Sequence, residues 1–135
     1  MHSHRSFENP PALPHHLVAE VLERALRDHP AYFEAQLKAE WEAASVLVGT
    51  ALNDDDAGFV EYWCVRVGTL APSGSPLLGL AGLCLGHTAR RFGRLGAEAL
   101  ALAGSLAARS EADPEDVDAR AQDGYDDVRS FLGLW

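Results

Sequence analysis

The sequence predicts an all-α fold, a single-domain bundle of five or six helices. Three observations predict it. Apolar residues return at intervals of three and four in one window after another, no stretch alternates apolar and polar residues as a half-buried strand does, and proline, glycine or aspartate clusters separate the windows. A chain of 135 residues, 47% hydrophobic and 23% charged, suits one domain with its own core.

Residues 1–13 contain His2, His4, Pro10 and Pro11 and no apolar periodicity, so they read as a flexible N-terminal arm, with residues 14–135 as the helical domain. From Pro14, the positions Leu17, Val18, Val21, Leu22, Ala25 and Leu26 form one helical stripe, which His29-Pro30 ends because a residue before proline is pushed out of helical geometry. A second helix over 31–52 carries the stripe Phe33, Leu37, Trp41, Ala44, Val48 and Ala51, read as core-facing, with Glu34, Lys38, Glu40 and Glu42 as its solvated face.

Asn53 to Asp56 reads as a turn whose carboxylates cap the next helix. It lacks the further oxygen ligands of an EF-hand, so no metal site is predicted. The third helix, over 57–70, buries Phe59, Val60, Trp63, Cys64 and Val67, and Ala71 to Pro76 breaks the chain after it.

Residues 76–108 are the most apolar part. About 14 mostly apolar residues lie on each side of the cluster Arg90, Arg91 and Arg94, short of the ~20 a membrane span needs. The segment therefore reads as two buried helices joined at Gly93, the first opened by Ser75 or Pro76. Glycine and alanine recur along it at sevens (Gly79, Gly86, Gly93; Gly82, Ala89, Gly96, Ala103). Glycine costs ~1 kcal/mol per helical site relative to alanine, so these positions predict close backbone approach to a neighbour, within the chain or in a second subunit. Asp113-Pro114 then reads as an N-cap and first turn for a last helix that buries Val117, Ala121, Tyr125, Val128 and Phe131 or Leu132.

A net charge of −9 argues against nucleic acid or an anionic membrane as partner. Cys64 and Cys84 form no CxxC pair and read as buried, reduced thiols. No targeting signal is legible, and a cytoplasmic location is expected by default.

Against this acidic background, His87, Arg90, Arg91 and Arg94 fall at i, i+3, i+4 and i+7, which predicts one basic helical face. Guanidinium groups bind phosphate with several donors, and an imidazole is a competent nucleophile toward phosphorus. The expectation is a phosphoryl-accepting His87 supported by Arg90, Arg91 and Arg94, on a carrier without a nucleotide-binding loop rather than a self-contained enzyme.

The run His87-Thr88-Ala89-Arg90, followed by Leu95-Gly96-Ala97-Glu98-Ala99-Leu100, resembles the histidine phosphotransfer (HPt) family, which includes the phosphotransfer domain of chemotaxis kinases. The resemblance spans residues 76–132. It implies a four-helix bundle in which His87 carries the phosphoryl group, Arg90 steadies it and Gly96 opens the next helix, with a receiver domain or histidine kinase as partner. Arg91 stands where the family has glycine, and the gap to Gly96 is one residue short.

Two alternatives stand beside it. In the first, the chain is a non-catalytic helical interaction or oligomerisation module whose arginines pair with Asp54 to Asp56, Asp126 or Asp127. In the second, a weak globin-like look makes His87 a haem iron ligand. No other cofactor and no metal are expected.

Overall fold

The computed structural model describes residues 12–28 and 32–134, so the arm predicted at the N-terminus and the His29-Pro30 break lie almost wholly outside the described residues. Leu13, placed in that arm, packs against the core. Six helices follow in order: α1 (His15–Arg27), α2 (Phe33–Asn53), α3 (Ala57–Leu70), α4 (Pro76–Phe92), α5 (Ala97–Ala112) and α6 (Arg120–Leu132). Among the described residues there is no strand, and no helix is long and apolar enough to cross a membrane.

α4 is the centre of the bundle and packs on α2, α3, α5 and α6. Its sequence explains why: Leu77, Leu78, Leu80, Ala81, Cys84, Leu85 and Ala89 are buried around nearly the whole circumference, as a fully enclosed helix requires. Ser75 caps it by accepting from the Leu77 N–H, Pro76 occupies the first turn, and Gly93 ends it with φ of 70°. Each fully buried leucine here, such as Leu78 or Leu85, contributes ~1.5–3 kcal/mol of transfer free energy. α5, by contrast, buries only one face, through Ala99, Ala103, Leu106 and Ser110.

The glycines of α4 meet α6 of the same chain. A β-carbon added to Gly82 would lie 2.9 Å from the Ala121 Cα, and one added to Gly86 would lie 2.7 Å from the Gly124 carbonyl oxygen. The two backbones therefore touch, and most of the close-approach signal in the sequence is spent within this one pair. Gly93 instead serves the left-handed cap, with nothing near it.

The Asn53–Asp56 turn caps α3 as expected: Asp56 Oδ1 accepts from the Phe59 N–H at 3.0 Å. Asp54, nearly buried, accepts from the Asp56 N–H and pairs with His15 Nε2 at 2.9 Å, while the His15 ring stacks on Phe59 with centroids 3.6 Å apart. That clamp fixes the start of α1 to the α2–α3 corner. Glu23 of α1 and Arg66 of α3 add a two-bond ion pair, at 2.6 and 3.0 Å.

Two sequence expectations are corrected. Asp113-Pro114 starts a turn, not the last helix: Asp113 accepts from the Glu115 N–H, but α6 begins only at Arg120. Tertiary contacts hold residues 113–119 off the helical path. Asp116 takes two bonds from Arg109 at 2.8 Å and one from Ser73 Oγ, its carbonyl accepts from the Gly74 N–H, and Val117 is fully buried. The second correction concerns α2. Phe33, Leu37 and Trp41, expected in the core, are 72%, 49% and 74% exposed; the later part of the stripe does reach it, with Ala51 buried and Ala44 and Val48 packed against it, and Ala43, Leu47 and Thr50 are buried beside them.

Candidate functional site

The predicted basic face divides into three. His87 and Arg90 stay together, one turn apart on α4, with Arg90 Nη2 3.1 Å from His87 Nδ1. A guanidinium only donates, so His87 Nδ1 accepts and the ring hydrogen is placed on Nε2. The half-buried imidazole is held below its ordinary proton affinity, first by burial and then by the Arg90 charge, with Asp127 of α6 pulling the other way. His87 is thereby biased to the neutral form at pH 7.

Arg91, one residue further round the helix, turns toward α2. Its Nη1 donates to the Ala51 carbonyl at 2.8 Å, its Nη2 reaches Asp55 at 3.3 Å, and its guanidinium lies 4.6 Å from the Phe92 ring centre. A residue expected to bind an anion is thus tied to the end of α2. Arg94 follows the left-handed Gly93, so it has left the helix and lines an open depression with Glu61, Thr88, Leu95 and Gly96. Gly96 does open α5 as its N-cap, and its N–H donates to Glu61 Oε1 at 3.0 Å. The amide that could meet a phosphate is occupied by a carboxylate of the same chain.

This geometry has a chemical consequence. For Nε2 to attack phosphorus, Nδ1 must carry the hydrogen and donate it to a carbonyl or carboxylate. Here a cation occupies the position where such an acceptor would stand. Nearby, Thr88 is buried and donates to the Cys84 carbonyl at 2.7 Å, which is an intrahelical role.

The cysteines are free and fully buried, and the Cys84 thiol is pushed well above its usual range by its hydrogen bond with Cys64 and by burial. A thiol so placed is a poor nucleophile. Among the described residues, no group of three or more His, Cys, Asp or Glu side chains is placed to hold a metal.

The feature the sequence reading misplaced is the exposed stripe of α2. Every residue from Phe33 to Lys38 is exposed, although Gln36 lines a depression with Ala25, Leu26 and Asp28 at the end of α1. Phe33, Leu37 and Trp41 lie at i, i+4 and i+8, roughly a quarter turn from the core residues Ala43 and Leu47. Ala44, Val48 and Ala51 continue the same stripe and reach the core, so only its N-terminal half, Phe33, Leu37 and Trp41, is left without a core neighbour among the described residues. No protein-family model, curated protein or solved structure matches this chain.

Proposed function

We propose that this chain is a non-catalytic helical interaction module, acting in the cytoplasm, that meets its partner through the aromatic stripe of α2. The observation that carries this reading is the exposure of Phe33 and Trp41, at 72% and 74%, on one face of α2 with Leu37 between them. Aromatic residues are enriched in interface cores and are the commonest anchors of binding energy, whereas single exposed apolar residues scattered over a surface carry no such meaning. The free thiols Cys64 and Cys84 support the cytoplasmic part of the proposal.

The test is photo-crosslinking in the cell from a photoreactive amino acid placed at position 37. An adduct is expected, and it should disappear when Phe33 and Trp41 are both changed to serine. No adduct, or one indifferent to those changes, contradicts the module.

A second reading, phosphoryl acceptance at His87 from a receiver domain or histidine kinase, has one observation in its favour: a half-buried imidazole biased to the neutral form, with Nε2 in no hydrogen bond with a described residue. It requires Arg90 to release Nδ1 before Nε2 can act. Treatment with a small phosphodonor followed by mass spectrometry tests it. Acid-labile phosphate lost in a His87→Gln variant would favour it over the module.

A further inference from the structure

Resting on the interaction reading, the next question is which partner the stripe fits. We propose that the occupant is a second copy of this chain, with α2 packed antiparallel on its symmetry mate about a two-fold axis passing beside Leu37. The stripe is self-complementary in that arrangement. Phe33 and Trp41 stand four residues on either side of Leu37, so reversing the helix brings Phe33 onto the mate's Trp41, Leu37 onto Leu37, and Trp41 onto Phe33. Aromatic pairs of this kind favour offset or edge-on contact and add to plain area burial.

Charge selects the same arrangement. Glu34 and Lys38 lie together on the flank of the stripe that faces away from the core, and Lys38 is the sole lysine of the chain. Neither forms an ion pair with another described residue. In an antiparallel pair like flanks meet, which sets Glu34 opposite the mate's Lys38 with an axial offset of about 3 Å, and the symmetry makes the contact twice. A parallel pairing in register would bring unlike flanks together, setting Glu34 and Lys38 against the mate's side that carries Gln36 and Glu40, so both complementary contacts would be lost. On the other side of the stripe, Glu40 accepts from Ser75 Oγ of its own chain and is directed back toward the bundle.

The area sets the strength. Phe33, Trp41 and Tyr32 are each about three-quarters exposed. Together with half-exposed Leu37 they offer roughly 400–600 Å² per copy, taking ~150–250 Å² for a whole aromatic side chain. Two copies then reach only the lower edge of specific interfaces, for which roughly 1,200 Å² in total is the usual minimum. The dimer is therefore reversible and dependent on concentration, and its net charge of −9 per copy adds to that tendency.

The experiment is sedimentation equilibrium of the full chain over a wide concentration range, with three exposed-site variants whose folding is checked by circular dichroism. The wild type should dimerise reversibly. Lys38→Glu and Glu34→Lys should each weaken the dimer about tenfold or more, since both pairs turn from attraction to repulsion. An equimolar mixture of those two variants should associate at least as tightly as the wild type, and Leu37→Glu should not associate at all. A monomer at every concentration, a dimer indifferent to Leu37→Glu, or two charge variants that fail to rescue each other would overturn the proposal. The module itself is judged separately: an in-cell adduct from position 37 whose mass is not twice that of the chain overturns the second copy as occupant and leaves the interaction reading standing.

Discussion

Arg90 Nη2 and His87 Nδ1 lie 3.1 Å apart, a cation donating to the ring nitrogen that a phosphoryl-accepting histidine would need free to donate. The contact joins two of the four basic positions in a hydrogen bond along one helix turn.

It also makes His87 a titration probe with known signs. Burial and Arg90 lower its proton affinity and Asp127 raises it. By NMR the wild-type imidazole should titrate below its ordinary 6.5. Arg90→Ala should move it up and Asp127→Asn should move it down. Because the folded value is the lower one, the unfolded chain takes the proton first. Stability contributed by neutral His87 is present above about 6.5 and falls as pH drops through the folded value. An Arg90→Ala titration identical to the wild type would refute the contact.

The crossing of α4 and α6 predicts large effects from the smallest substitutions. Gly86→Ala would place a methyl group 2.7 Å from a carbonyl oxygen that belongs to backbone and cannot swing aside. Gly86→Ala and Gly124→Ala should each cost about 1–3 kcal/mol or more in chemical denaturation. Gly58→Ala is the control. It is exposed within α3, its nearest neighbour is Asp56 Oδ1 at 3.6 Å, and it should gain up to ~1 kcal/mol from helix propensity. Equal effects at positions 58 and 86 would contradict the crossing.

The Asp116 carboxyl is lowered from 3.8 to about 2 by its hydrogen bonds with Arg109 and, secondarily, Ser73. Its folded value is the lower one, so the stabilisation is present above about 3.8 and is lost as pH falls toward 2. Arg109→Gln should flatten that part of the stability profile, measured by thermal melts from pH 5 to pH 2, and an unchanged acid slope would count against it.

The same contact explains what the sequence could and could not disclose. Helices whose boundaries are set locally were legible: Ser75-Pro76 opens α4, Gly93 closes it, and Asp56 caps α3, each through bonds within a few residues. The start of α6 was not, because Asp113-Pro114 is as good a local start signal as any in the chain. Arg109 and the α3–α4 loop hold Asp116 from outside. The four basic residues read as one face because helical spacing was extended past Gly93 to Arg94, and because Arg91's long side chain reaches Ala51, 40 residues away in sequence. The stripe of α2 was legible as apolar and its later part, Ala44, Val48 and Ala51, does pack on the core, but periodicity does not say how far along a helix its neighbours extend.

Amide shift mapping reads directly where this chain meets its second copy. A ¹⁵N-labelled chain followed as its concentration rises should show shifts confined to residues near Phe33, Leu37 and Trp41, with His87, Arg90 and Arg94 unmoved. Concentration-dependent shifts centred on the His87 end of α4, with α2 silent, would contradict the pairing.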